Sequence, residues 1–104
     1  MITPMVMFRF YHDSHKPVYT IRVAAELIGC HPRTLRLYEQ AGLVQPQRTT
    51  KNYRLYSQHD LTTIKRVCCL MDEWDLTLSG VSAMFKMAER FHIEIERLFE
   101  EMLQ

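Results

Sequence analysis

Residues 31–44 read HPRTLRLYEQAGLV, and the order of residue types in that run sets the fold. Pro32 suits a first helical position, where its missing N–H is not needed. Leu35, Tyr38 and Glu39 continue at helical spacing, and Gly42 sits where a helix would stop. Just upstream, TIRVAAELIGC (20–30) has the same grammar. Thr20 can cap, Ile21, Ala24, Ala25 and Ile28 share one face, and Gly29 closes the segment. Two short helices joined by about three residues that include a glycine form a helix-turn-helix.

The second helix of such a pair has two tasks. Its back must lock into the domain, which Leu35 and the ring of Tyr38 can do. Its front carries Arg33, Thr34 and Arg36 in the first turn and a half. There a helix N-terminus favours phosphate, and an arginine fork can grip phosphate or bind guanine bidentately. The run that follows, LVQPQRTTKNYRLYS (43–57), has no helical period. Its proline, β-branched threonines and alternating tyrosines predict a β-hairpin with Lys51-Asn52 near the tip. Basic residues interleaved with tyrosines beside a helix-turn-helix form a wing that can run along a phosphate backbone. Arg22, Tyr38, Arg48, Lys51, Tyr53, Arg54 and Tyr56 are the expected backbone contacts. The alternative is a hairpin whose tyrosines, Tyr56 first among them, pack on the core while its cations are solvated.

Farther along, Ser57 followed by Asp60 predicts a capped third helix with Leu61, Ile64, Cys68 and Met71 inward. EWDLT (73–77) is a short break, and Thr77 caps a fourth helix over 78–88. Met84, Ala88, Phe91, Ile95, Leu98 and Met102 then recur at spacings of 4, 3, 4, 3 and 4, a heptad seam. So wide a stripe needs a partner surface. Folding it back on its own domain is one solution; a dimer is preferred here, because the short front half offers few unclaimed apolar surfaces. Residues 1–16 lack helical periodicity, and MVMFRFY within them reads as a short strand.

The bulk numbers fit one soluble domain of 104 residues, 47% hydrophobic and 24% charged. The net charge of +1 conceals an asymmetry. Through Arg66 there are ten Lys/Arg against four Asp/Glu, and from Val67 onward three against eight. A basic front suggests that only that half meets a polyanion, although two unevenly solvated faces would give the same count. The start carries no basic n-region and no apolar core of a signal peptide, and no apolar run is long enough to span a membrane. Three cysteines, two of them adjacent, make a poor disulfide framework and fit a reducing cytoplasm. They show no C-x-x-C spacing, and the five histidines are scattered, so no metal or other cofactor is expected. Nor is any nucleophile–base pair or phosphate loop visible, which argues against an enzyme.

Taken together, Thr34, Leu35, Arg36, Tyr38, Glu39, Gly42 and Leu43, then Pro46 and Arg48, then Tyr53, Arg54 and Tyr56 resemble the DNA-binding domain of MerR-family regulators. PVYTIRVAAELIGCHPRTLR, RLYSQHD and LTLSGV are most similar to the HspR-type heat-shock repressors within it. The likeness spans roughly residues 17–90. It implies a mainly α fold with a small β-hairpin: a winged helix-turn-helix domain (17–78) whose second helix enters the major groove. A second wing at 73–78 and a C-terminal dimerisation helix within 79–104 complete it. It also implies a homodimer on double-stranded DNA carrying an inverted repeat, repression of chaperone genes, and a DnaK-type chaperone as co-repressor. Three features depart from the family pattern: a short last helix, Lys51-Asn52 at a wing tip where glycines are frequent, and Asp75 where glycine is common. A chaperone-binding adaptor of the same fold, acting without DNA, is the rival reading; aligned cations on the wing argue against it.

Overall fold

The computed structural model of the chain describes residues 13–104, so the MVMFRFY strand expected near the N-terminus lies outside the described residues. In chain order the elements are β1 (Tyr19–Thr20), α1 (Ile21–Ile28), α2 (Pro32–Gln40), β2 (Gln47–Arg48), β3 (Arg54–Tyr56), α3 (Gln58–Glu73), α4 (Leu78–Arg90) and α5 (Ile95–Met102). The fold class is the expected one: helices carry most of the chain, and a small antiparallel sheet forms the wing.

Local chemistry explains most boundaries. The Thr20 hydroxyl accepts from the Val23 N–H at 3.3 Å, and His31 Nδ1 accepts from the Arg33 N–H at 3.0 Å. Ser57 and Asp60 exchange side-chain and backbone bonds of 3.0 and 2.9 Å, a complete capping box. Thr77 caps α4 through the Gly80 N–H at 3.0 Å. At the end of α2, Gly42 adopts φ +80°, which lets its N–H reach the Glu39 carbonyl and the Leu43 N–H reach that of Tyr38. That paired closure is a Schellman motif.

The sheet order is β1–β3–β2, with Tyr19 opposite Tyr56, Gln47 opposite Leu55 and Arg48 opposite Arg54. No sequence pattern predicts strand β1: two residues, the second of which caps α1, are too short to show a period. It ties the start of the helix-turn-helix to the wing. A single buried cluster fills the middle, with Leu35, Tyr56, Ile64, Val67, Leu70, Val81 and Phe99 almost wholly enclosed. Helix α3 is its axle. It buries Leu61, Ile64, Val67 and Leu70, while Cys68 and Met71, expected on its buried face, are partly buried at the edge of the cluster.

The C-terminal stretch corrects the heptad reading. Helix α4 stops at Arg90, and His92 takes a left-handed φ of +56°. The His92 N–H then reaches the Glu89 carbonyl at 3.2 Å and the Ile93 N–H reaches that of Ala88 at 2.8 Å, another Schellman closure with histidine in the place of glycine. The seam is thereby cut between Phe91 and Ile95, and α5 folds back against α3 and α4. Phe99, Ala88, Ile95, Met102 and Met84 pack into their own domain, Leu98 is half-buried, and Phe91 is left 64% exposed. Most of the residues assigned to dimerisation therefore serve the protomer's own core. The physical reason is Phe99, which finds a socket beside Phe85, with ring centroids 5.9 Å apart, and lies beneath the Arg66 guanidinium. The indole N–H of Trp74 donates to the Met102 carbonyl at 2.9 Å and holds the far end of α5.

Candidate nucleic-acid interface

Helix α2 presents its two faces as its sequence requires. Leu35 and Tyr38 are buried, while Arg33 and Arg36 are exposed and form no ion pair among the described residues. Thr34, in the first turn, is half-buried. Beside this helix lies the wing, with Lys51 and Tyr53 exposed at its tip and Asn52 in the left-handed region at φ +69°. Asparagine tolerates that conformation better than most side chains, so a glycine is not needed there. Asp75, at φ +53° in the break before α4, meets the same demand in the same way.

A cleft of about 200 Å³ separates the helix-turn-helix from the wing, lined by Thr20, Ile21, Arg36, Asn52, Tyr53 and Arg54. The first residues of α1 form one wall, the recognition helix another and the hairpin the third. Arg36, which forms no ion pair among the described residues, and the first residues of α1 border one recess, an arrangement that favours an anionic oxygen, while Arg54 in the same wall is engaged by a carboxylate. Arg22, next to Ile21 in the first turn of α1, is exposed and sits 3.8 Å from Glu26.

Of the expected contacts, Tyr38 and Tyr56 are buried, and Arg48 and Arg54 are ion-paired. Tyr38 is 6% exposed, and its hydroxyl lies 3.4 Å from Cys68 Sγ and 3.7 Å from Met71 Sδ. Burial, reinforced by Cys68, pushes that phenol well above its ordinary range. Tyr56 is fully enclosed, its hydroxyl has no hydrogen-bond partner among the described residues, and burial together with the Glu39 charge pushes its pKa up to about 12. Neither tyrosine can reach a phosphate, because each supplies a ring to the core. Arg48 and Arg54, expected to be free cations, are held by one carboxylate: Arg54 Nε donates to Glu39 Oε1 at 2.6 Å and Arg48 donates to Glu39 Oε2 at 3.1 Å. Burial opposes ionisation of Glu39, but the Arg54 bond and charge, then those of Arg48, outweigh it and hold the carboxyl below its usual value. Glu39 is the residue whose role the sequence reading missed. It stands in the quoted motif, but nothing local shows that a hairpin nine residues on will close over it.

Elsewhere the chemistry is quiet. Cys30, Cys68 and Cys69 are free thiols, and burial, then Cys68, raises the Cys30 thiol away from the reactive thiolate. Among the described residues, no three His, Cys, Asp or Glu side chains are grouped to hold a metal ion, and no helix is long and apolar enough to cross a membrane.

The helix pair, the wing and the recess between them define a winged helix-turn-helix protein. A family model described as MerR HTH family regulatory protein matches residues 19–88. The chain belongs to the MerR family. It is 41% identical over 71 residues to a Streptomyces coelicolor protein bearing the heat-shock name HspR, covering 68% of this chain and 47% of that one. It is 32% identical over 73 residues to the HTH-type transcriptional regulator GlnR of Bacillus anthracis, covering 70% and 56%. Among solved structures it is similar to HiNmlR, a MerR family regulator lacking the sensor domain and bound to promoter DNA. That match has a TM-score of 0.62 and 27% identity, over 82% of this chain and 70% of that one. The chain spans about half the length of the curated relatives named here. These relatives are regulators, not enzymes.

Proposed function

We propose that this chain acts in the cytoplasm as a dimeric, sequence-specific DNA-binding repressor of the HspR type, controlling heat-shock and chaperone genes. One observation carries the DNA reading: Arg33 and Arg36 are exposed and unpaired among the described residues at the front of α2, and Arg36 lines the recess that α1 and the wing enclose. Arg33, Thr34 and Arg36 approach base edges. The α1 N-terminus, Arg22, Lys51 and Tyr53 meet the backbone and set register. Likeness to HspR and to a promoter-bound family member supports the same reading.

The dimer rests on a smaller surface than the heptad implied. Met87 and Phe91, four residues apart, and the nearby Ile93 remain exposed on and just beyond α4. Large apolar side chains grouped in this way fit a second copy. Two copies of the recess would then span an inverted repeat with half-sites about one helical turn, or a multiple of it, apart. Likeness to HspR also brings in a DnaK-type chaperone as co-repressor.

Repeated selection of bound duplexes from a random pool, then filter binding across salt concentrations, tests the reading. An enriched inverted repeat is expected. Arg36→Ala should weaken binding to it by about 1–3 kcal/mol while changing random-sequence binding far less. No enrichment and no binding at low salt would end the proposal. Sedimentation of Phe91→Asp should show more monomer than wild type, and adding the chaperone should tighten the complex on DNA.

A further inference from the structure

We infer that Glu39 is a specificity-determining positioning residue: by clamping Arg48 and Arg54 it fixes the wing on the recognition helix and withholds two cations from indiscriminate phosphate contact. This rests on the DNA-binding reading above and adds a residue that need not touch DNA.

The clamp is built from two oxygens and two strands. Arg48 on β2 and Arg54 on β3 are directly opposite partners across the hairpin. Like charges so placed repel and would loosen the strand pair. One carboxylate sits against both, 2.6 Å from Arg54 Nε and 3.1 Å from the nearest Arg48 nitrogen. It comes from α2, three residues beyond Arg36, on the helix that carries the base-reading cations. Arg48 passes the constraint on, because its other terminal nitrogen donates to the Asn52 carbonyl at 3.3 Å. Glu39 therefore reaches the left-handed turn at the wing tip and the exposed Tyr53 beside it. Arg54 stays in the wall of the recess while its Nε is engaged, so its direction is set before any anion arrives. Pre-set geometry favours the one duplex that fits it, whereas mobile cations favour every duplex alike.

A negative charge beside a DNA-binding face would, on charge alone, only oppose binding. Its removal would then tighten all complexes in parallel. The clamp leads to a different outcome for Glu39→Gln. Random-sequence affinity should rise several-fold, with a salt slope steeper by about 0.9 for each arginine released. The ratio of affinities for the selected and random duplexes should fall about tenfold. Glu39→Asp keeps the charge but is one methylene too short to span both guanidiniums. Its salt slope should stay close to wild type while the ratio still falls.

The experiment is filter binding of wild type, Glu39→Gln and Glu39→Asp to the selected duplex and to a random-sequence duplex, with folding checked by circular dichroism. A lower ratio in both variants, with the steeper slope confined to Glu39→Gln, supports the clamp. An unchanged ratio in either folded variant, or parallel tightening on both duplexes, overturns it. Should Glu39→Gln fail to fold, the ratio of Glu39→Asp decides in the same way. A wild type that selects no duplex overturns the DNA reading and the clamp together, whereas a discriminating wild type with equally discriminating variants overturns the clamp alone.

Discussion

Helix α2 and the stretch 84–102 both pair an apolar stripe with a polar face, yet they end differently. Helix α2 is opened by Pro32, closed by Gly42, and buries its stripe in the nearest part of the core. The later stretch carries a longer and more regular stripe. It is broken at His92 without glycine or proline, and its second half folds back onto α3. An apolar stripe states that a surface must be covered. It does not state by whom. For α2 the cover lies a few residues away and the local stop signals agree with it. For 84–102 the choice between a second copy and the chain's own domain depends on whether a socket for Phe99 exists, which is a property of the assembled core.

The largest expected effect tests that choice. Phe99→Ala should cost about 3–5 kcal/mol in urea denaturation, since it empties a fully enclosed aromatic site. Phe91→Ala, at an exposed position of the seam, should lie within about 0.5 kcal/mol of wild type in the monomer. Equal costs for the two phenylalanines would mean that Phe99 is not the anchor that breaks the seam.

The helix ends sharpen the comparison next. A Cβ at Gly42 meets nothing within 4 Å, so Gly42→Ala should cost only the left-handed backbone penalty, about 1–2 kcal/mol. The converse substitution, His92→Gly, should stabilise by up to about 1 kcal/mol because the left-handed penalty is relieved. In an unbroken helix the same glycine would destabilise by about 1 kcal/mol. The sign of that change, read from thermal melts at one protein concentration, separates the two architectures.

The front half was legible because its signals are local. Thr20 and Ser57 cap helices within three residues of themselves, and the Lys51-Asn52 tip lies where alternation stops. What the pattern leaves open there is which polar tips are wet, since it allows Tyr38 and Tyr56 either a core or a phosphate role. Tyr38, Tyr53 and Tyr56 are alike as residues, but only Tyr53 lies at the end of the hairpin; the other two meet α3 and the core. The Glu39 clamp was hidden for the same reason: its partners come from the two strands of a hairpin whose docking is a tertiary event.

That clamp gives the front half a pH dependence that the back half lacks at Phe99. The folded Glu39 carboxyl is held below its usual value by the two arginines, with Arg54 the larger influence. Its stabilising contribution is complete at neutral pH. It begins to fall as pH drops through the ordinary glutamate value of about 4.3 and is gone below the lowered folded value. Acid titration monitored by circular dichroism should show stability lost over that window in wild type and a flatter course in Glu39→Gln. Phe99→Ala, weaker throughout, should keep the wild-type shape.

The smallest expected change concerns Tyr56. Its ring is fully enclosed, so the ring's packing is retained in Tyr56→Phe, and only a hydroxyl without a hydrogen-bond partner among the described residues is removed. Deleting a buried polar group that makes no bond leaves nothing newly unsatisfied. The substitution should therefore fall within about 0.5 kcal/mol of wild type at neutral pH, or stabilise. Alkaline conditions separate the two proteins. Burial, and then the Glu39 charge, raises the Tyr56 pKa to about 12, above the ordinary tyrosine value of about 10. A raised folded value means stability is complete below the unfolded value and is lost as pH climbs from there toward the folded one. Wild type should weaken over that interval through both Tyr56 and Tyr38, whose phenol is also raised by burial. Tyr56→Phe should retain the part due to Tyr38 and lose the rest. An alkaline course identical to wild type would mean that the Tyr56 hydroxyl meets solvent, and the wing would then lie less firmly on the core than its buried ring indicates.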